Sequence, residues 1–359
     1  MLLILDKINT RSVKKILGFI LPLVFTIFFL LLAFQNVDLK KSIWLITNTS
    51  LPWLLVFIFI FFFSHFIRAI RWKIIINSIK KETSLLNLFS AVMIGYGVGC
   101  VASRLGEVYR GFFLGRWEKL SRTSMFATVV VERIIDMLAL GFSCVVSIYI
   151  YSGDLLNEVI WLKASLIVAF SVMAVFIALI YLLIVKKESF YNAIVKFVGR
   201  FSHKMADFLA KTFTTLLEGF SSIKGIKSYL LILVYSVIIM LLYALNAYIG
   251  FYILELENTY TITFGMAWVL MTISAFGVVI PTPGATGSYH LITIFVLTQL
   301  YNFNYTESGA YAILTHFISY VSFIVSSLLL LYVVNRRNFK KGIPKENFLS
   351  VFRLNMDEK

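Results

Sequence analysis

The chain is predicted to be an all-α polytopic membrane protein, and three observations predict it. Hydrophobic residues make up 60% of its 359 positions and charged residues only 14%, against a charged share of about 25% in ordinary soluble domains. Mean hydropathy is +0.88. Apolar runs at 16–34, 51–67, 164–185, 228–254 and 309–334 match the roughly 20 residues a helix needs to cross a hydrocarbon core of about 30 Å. The stretch 124–151 fits as well once its charges are accommodated. The expected architecture is about six full crossings plus two hairpin or half-helix pairs, or about eight crossings if the second pair passes fully through. One transmembrane domain is expected over residues 1–335, with a short polar cytoplasmic tail over 336–359 and no soluble catalytic domain.

The first run follows Lys7, Arg11, Lys14 and Lys15. It is too long for a signal peptide and lacks an A-x-A-like cleavage site, so it reads as an uncleaved anchor. Because Lys and Arg accumulate in cytoplasmic loops, the N-terminus is expected inside. Asp38, Lys40 and Lys41 then fall outside, and Arg68, Arg71, Lys73, Lys80 and Lys81 fall back inside. The run 85–101 precedes Arg104, Arg110, Arg116, Lys119 and Arg122, which a full crossing would strand on the wrong side. A re-entrant hairpin resolves this, with Gly95, Gly97 and Gly99 expected to turn the backbone at depth. Such a hairpin must line a cavity, since irregular backbone in a bilayer is tolerated only where protein or water shields it.

From Arg122 the chain is expected to cross outward to Asp154 and Glu158 and to return through 164–185 to Lys186 and Lys187. Within 189–222, Phe190, Ile194, Phe197, Phe201, Met205 and Phe208 recur at three and four residue steps, an amphipathic helical pattern. Lys196, Arg200, Lys204 and Lys211 occupy its other face. The segment therefore lies on an anionic inner leaflet or packs on the protein's own cytoplasmic surface. The 228–254 run goes out to Glu255 and Glu257. Two apolar arms, 262–280 and 288–301, then flank Pro281-Thr282-Pro283-Gly284-Ala285-Thr286-Gly287, a break without Lys or Arg. The arms are two full crossings joined by a tight turn, or a second hairpin entering from outside. In the second case two hairpins from opposite faces approach near the midplane, as discontinuous helices do in transporters. The last run descends to Arg336, Arg337, Lys340 and Lys341.

The net charge of +15 is spread between apolar segments and reads as an orientation signal; nucleic acid is not an expected partner. Cys100 and Cys144 both lie in apolar sequence, so neither a disulfide framework nor a CxxC site is available. No G-x-S-x-G, P-loop or HExxH pattern occurs in a supporting context. Gly95-Tyr96-Gly97-Val98-Gly99 has the spacing of a nucleotide loop without the preceding strand. His290 and His316 lack metal-ligand spacing, and no cofactor or metal is expected.

The informative feature is a load of charge in apolar sequence: Arg104, Glu107 and Arg110, then Glu132, Arg133 and Asp136. A charge at helix-centre depth costs roughly 2.5 to 3.5 kcal/mol on insertion scales, so it faces a partner or a wet cavity. On a helix Arg104 and Glu107, Glu107 and Arg110, and Arg133 and Asp136 are i, i+3 neighbours. One shared polar pocket is expected, in which Arg104, Arg110 and Arg133 are available for phosphate and Glu107, Glu132 and Asp136 hold them in place. Arginine suits that task because its planar fork binds phosphate bidentately. The acids could instead meet a cationic headgroup, and a purely structural ion-pair network accounts for the same residues. Around the break, Pro281, Pro283, Gly284, Gly287 and His290 form a candidate hairpin or gate, with a plain tight turn as the alternative.

Arg104-Leu105-Gly106-Glu107-Val108-Tyr109-Arg110, Glu132-Arg133-Ile134-Ile135-Asp136 and the Pro281–Gly287 segment together resemble the flippase-like transmembrane domain of the lysylphosphatidylglycerol synthase family, the multiple peptide resistance factors. The resemblance covers roughly residues 10 to 335 and is to standalone members without the aminoacyl-transferase domain. Ala102-Ser103 stands where Pro or Gly commonly precedes the arginine in that family. Ala285 replaces a usual second glycine, and His290 stands where an acidic residue is common, so any ion-coupling role of that acid would not carry over. The resemblance implies a lipid-handling domain of the cell membrane for a lipid with a charged headgroup, either a phospholipid or a polyprenyl-phosphate type. The substrate of the fused enzymes is not carried over, because the chain shows no synthase part.

Three readings of function follow. The first is a lipid translocase or lipid-handling protein whose partner is a membrane lipid with an anionic or phosphate-bearing headgroup. The second is an enzyme or enzyme subunit, a catalytic or non-catalytic membrane subunit of a lipid-modifying transferase (aminoacyl or glycosyl), for which a lipid-modifying enzyme encoded separately is a candidate partner. The third is a small-solute transporter. An oligomer is compatible with all three.

Overall fold

The computed structural model describes residues 10–77, 79–102, 105–168 and 225–352, and six isolated positions between 170 and 200. Arg104, most of the expected 164–185 span and nearly all of the 189–222 segment lie outside the described residues. Every regular element among the described residues is helical. They are α1 (Thr10–Phe34), α2 (Leu39–Thr47), α3 (Leu51–Ile76), α4 (Leu85–Val101), α5 (Leu105–Glu118), α6 (Arg122–Ile150), α7 (Leu155–Glu158), α8 (Ile226–Ile253), α9 (Phe264–Val279), α10 (Ser288–Phe295) and α11 (Tyr305–Phe339). By length and composition α3, α8 and α11 could each cross a membrane, and α1 with α2 forms a further apolar pair bent by 89°.

Caps set several of these boundaries. Asp38 accepts from the Lys41 N–H at 3.1 Å to open α2, and Thr263 accepts from the Met266 N–H at 3.1 Å to open α9. Asn304 accepts from the Thr306 N–H at 2.8 Å to open α11. A side-chain oxygen there satisfies a backbone donor that has no partner within the helix.

The long helices share two chemically distinct ends. At one, Ser50 N–H donates to Ile253 O, Tyr151 donates to Glu158 at 2.5 Å and Tyr260 donates to Glu307. At the other, Lys80 donates to Glu118 at 2.7 Å, Arg337 donates to Ser84 at 3.2 Å and Arg116 donates to Glu346 at 2.8 Å. Arg336, Lys340 and Lys341 close α11 at this basic end.

Helix α11 is the ruler against which the two hairpins are placed. Antiparallel to its C-terminal half runs α4: Ser84 lies at Arg337, a Cβ on Gly97 would meet Ser327 Oγ at 2.5 Å, and Tyr320 OH donates to Cys100 O at 2.9 Å. Helix α5 folds back along α4. Beside the N-terminal half of α11 lies the second hairpin, α9 and α10: Tyr289 pairs with Thr315 at 3.2 Å, and His316 Nε2 donates to Gly284 O at 2.9 Å. The hairpins thus enter from opposite ends and meet at Tyr320. That residue is 15 positions from Tyr305 and 19 from Phe339, or roughly 22 and 28 Å at 1.5 Å per residue.

Two expectations need correction. The glycines of α4 do not turn the chain, because α4 is continuous to Val101 and the reversal follows it. Gly95 and Gly97 bring helices together: a Cβ on Gly106 would lie 2.1 Å from Gly95 O, one on Gly95 would lie 2.9 Å from Arg110 Cβ, and one on Gly99 would meet nothing within 4 Å. Small residues are how helices approach closely where lipid removes the hydrophobic drive between them. Nor is the C-terminal stretch merely polar. Glu346 exchanges hydrogen bonds with Asn335, Arg122 donates to Val351 O at 3.0 Å, and Phe348 stacks near Tyr109 and Phe113. Residues 343–352 therefore strap the basic end of α5 to α11.

Candidate functional site

Helices α3, α5, α6 and α8 bring ionisable and polar groups to one depth. Arg68 lies eight residues before Ile76, Arg110 eight before Glu118, and Glu132 and Ser236 ten after Arg122 and Ile226. At 1.5 Å per residue that is roughly 12 to 15 Å inside the basic end of each helix. Spacing supplies the facing: Arg68 and Arg71 share a face of α3 at i, i+3, and Glu132 and Asp136 share one of α6 at i, i+4, while Arg133 is turned about 100° away.

Glu132 is the hub and is fully buried. Its Oε1 accepts from Arg68 Nη1 at 3.3 Å and from Arg71 Nη2 at 3.1 Å, and its Oε2 accepts from Arg110 Nη2. Asp136 accepts from Arg68 at 2.7 Å and from Arg71 at 2.5 Å. Tyr243 accepts from Arg68 Nε at 3.2 Å, and Ser236 accepts from Arg71 Nη1 at 2.9 Å. The Arg110 guanidinium lies 4.0 Å from the Trp72 ring centroid, a cation–π contact that stabilises charge without a further anion. Charge-assisted bonds of this kind are what make buried ions tolerable.

The mouth of the cluster differs. Arg133 pairs with Glu107 at 3.3 Å, and both side chains are about one-third exposed, at 33% and 34%. Arg133 Nη2 lies 3.0 Å from Asp136 Oδ2 without the geometry of a hydrogen bond. Its Nε and Nη2 lack acceptors, as does Arg110 Nε, and Glu107 Oε2 lacks a donor. Along the outer face of α6, Met137 lies one turn from Arg133 and is exposed, followed by Phe142 and Tyr149. The unpartnered atoms are themselves buried, while the Arg133 and Glu107 side chains that carry them are one-third exposed beside apolar exterior.

Of the residues singled out in the sequence, Glu107, Arg110, Glu132, Arg133 and Asp136 come together as one network; Arg104 lies outside the described residues. The expected pairing is altered. Glu107 takes Arg133 rather than Arg110, whose Nη1 is 3.9 Å away, and Glu132 is held by three arginines that do not include Arg133. Arg68 and Arg71 are corrected from loop residues to buried members of α3. The apolar run stops at Ile67, but the helix does not. His65, Arg68 and Trp72 already carried the three and four residue step of a continuing helix. Among the described residues the network holds four arginines and three carboxylates, a surplus of one positive charge (4 − 3).

The Pro281–Gly287 break forms the tip of the second hairpin. Gly284, Ala285 and Gly287 take left-handed φ values of 57°, 60° and 87°. A non-glycine residue there costs roughly 1 to 2 kcal/mol, so Ala285 is held against its preference. Ser288 Oγ donates to Gly277 O at 2.7 Å, closing the tip onto α9. Pro281 ends α9 after Ile280, and Pro283 opens the single turn that Gly284 bends. His290 meets the Phe34 ring of α1 edge-on at 5.6 Å and lies tilted against the His316 ring at 4.6 Å. Groups of three or more metal-ligating side chains do not occur among the described residues.

Comparison with known proteins adds an independent line. The family described as the lysylphosphatidylglycerol synthase TM region matches residues 19–327. Two UPF0104 membrane proteins of Methanocaldococcus jannaschii are similar. One is 27% identical over 163 residues, covering 44% of this chain and 48% of the relative. The other is 26% identical over 247 residues, covering 67% and 95%. The chain thus spans about half the length of the first relative. No solved structure matches.

Proposed function

We propose that this chain, which belongs to the lysylphosphatidylglycerol synthase transmembrane-region family, moves or accommodates a membrane lipid whose phosphate docks on Arg133 while its apolar chains remain in the bilayer. The observation that carries this reading is the half-open Arg133–Glu107 pair beside the exposed apolar face of α6. The exposed third of Arg133 is where a phosphate oxygen can reach a guanidinium, which offers it a planar fork. The surplus positive charge of the network favours an anion at that mouth. The positive-inside rule places the basic end at the cytoplasm, so the mouth opens to the inner half of the bilayer. The expected six crossings with two re-entrant hairpins fit this arrangement, the hairpin tips lying at the middle of α11.

The buried part of the network supports a second, complementary role. Arg68, Arg71 and Arg110 are paired with Glu132 and shielded, so they hold α3, α5 and α6 together and fix the position of Arg133. Liposomes bearing purified protein and a fluorescent phospholipid test the division. Arg133→Ala is expected to lower lipid movement at least tenfold while the melting temperature in detergent changes little, because Asp136 keeps two arginines. Lipid movement equal to wild type in that variant removes Arg133 from the site.

A further inference from the structure

Among the buried polar groups outside the charged network is a histidine pair at the tip of the second hairpin. Each ring pins one of its left-handed glycines. Gly287 N–H donates to His290 Nδ1 at 3.3 Å, and His316 Nε2 donates to Gly284 O at 2.9 Å. The ring centroids are 4.6 Å apart. These bonds fix the tautomers: His290 carries its hydrogen on Nε2 with Nδ1 bare, and His316 carries one on Nε2.

Neither ring has an ionic partner among the described residues; each is the other's charge-bearing neighbour. The titratable groups that face them are Tyr289 from α10, Tyr320 from α11 and Cys100 from α4. Helix α1 presents Phe34, and α9 presents Ser274 and Gly277 at the hairpin's own interface. None supplies a negative charge for an imidazolium. A proton on His290 Nδ1 would also point a donor at the Gly287 N–H and break the pin. Two imidazoliums at this separation repel, so the pair takes up one proton at most in this geometry.

We propose that His290 and His316 form a proton-binding site that locks the tip while both rings are neutral and releases it when His290 takes up a proton on Nδ1. The tip is poised for such a release. Three of its residues hold left-handed angles, one of them alanine, and strained backbone persists only where surroundings hold it. It also abuts the first hairpin, since a Cβ on Gly284 would lie 3.2 Å from Cys100 Cα. Release therefore loosens the junction where the two hairpins meet. Acid acts in this direction because His290 Nδ1 has no lone pair left for a proton while it accepts the Gly287 N–H, and has one once the tip is released. For one histidine of ordinary pKa, about 6.5, the released form gains about thirtyfold between about pH 8 and about pH 5, and nothing further above pH 8.

Hydrogen–deuterium exchange of the 281–291 peptide tests this in the full chain, with rates corrected for intrinsic exchange. Protection of the tip amides is expected to fall by up to about thirtyfold from pH 8 to pH 5. The variant carrying His290→Asn and His316→Gln keeps an acceptor and a donor at the same positions but takes up no proton, and its protection is expected to stay flat. A flat wild type, or a variant that loses protection as the wild type does, overturns the proposal. Should the double variant not fold, ring nitrogen shifts of labelled histidine in the wild type decide: a His290 ring neutral to pH 5 overturns it, and a protonated His290 ring accompanying lost protection upholds it. The readout is amide protection rather than lipid movement, so it stands or fails apart from the role given to Arg133.

Discussion

Replacing Glu132 with glutamine tests whether the buried network carries the fold at this depth. The substitution keeps size and one acceptor oxygen but removes the charge that three arginines share at Glu132 Oε1 and Oε2. The network then changes from four positive and three negative groups to four and two, doubling its unpaired charge in a buried site. Removing one partner of a buried ion pair costs about 3 to 5 kcal/mol. At about 2 to 4 °C per kcal/mol for a chain of a few hundred residues, the melting temperature should fall by roughly 10 °C. Intrinsic tryptophan fluorescence during heating in detergent reads it, since Trp72 lies against Arg110. Arg71→Gln added to Glu132→Gln returns the surplus to one charge and should recover about 1 kcal/mol or more in a double-mutant cycle. A Glu132→Gln protein melting within about 2 °C of wild type would falsify the claim that these charges are paired in low dielectric.

Two further substitutions probe the hairpins. Gly106→Ala should destabilise by at least about 2 kcal/mol, because its Cβ would enter the Gly95 carbonyl and overpacking against backbone has no flexible side chain to move. Gly99→Ala, which meets nothing within 4 Å, should leave the melting temperature unchanged or raise it slightly, as alanine outranks glycine in a helix; equal melting of the two variants would refute the packing argument. Gly284→Cys in a Cys144→Ser background should become joined to Cys100 under oxidation or by a short bifunctional thiol reagent, giving a linked peptide by mass spectrometry. Thiols that react only after denaturation, with no link formed, would separate the hairpin tips.

Much of the architecture was readable because hydropathy and loop charge report the same thing. The apolar runs became α1, α3, α6, α8 and α11, and the uncharged arms around Pro281–Gly287 became α9 and α10. What failed was the inference from run to helix end. The apolar run stops at Ile67, yet α3 continues for nine residues to Ile76, since a helix bearing buried arginines has no hydropathy signature. The role of Gly95, Gly97 and Gly99 was misassigned for a related reason. Sequence reports that glycine permits either a turn or a close approach, and only the packing of α5 and α11 shows that approach was needed. The strap over 343–352 was invisible because its anchors, Glu346 and Phe348, are polar and apolar residues without periodicity.

The candidate site was legible in its members and not in its wiring. Sequence placed Glu107, Arg110, Glu132, Arg133 and Asp136 together because no other arrangement lets so many charges enter a membrane. It offered i, i+3 partners within each helix as the cheapest pairing, and that holds for Arg133 with Asp136. Elsewhere the fold prefers partners from other helices, because an ion pair within one helix saturates charge without fixing how helices meet. Glu132 bridging α3 and α5 does both. Having Arg68, Arg71 and Arg110 committed to that bridge, each nearly fully buried, leaves Arg133 as the arginine of this network whose side chain is one-third exposed. A network with every arginine buried would be glue alone; this one ends at its mouth in a guanidinium that Glu107 and Asp136 hold in place.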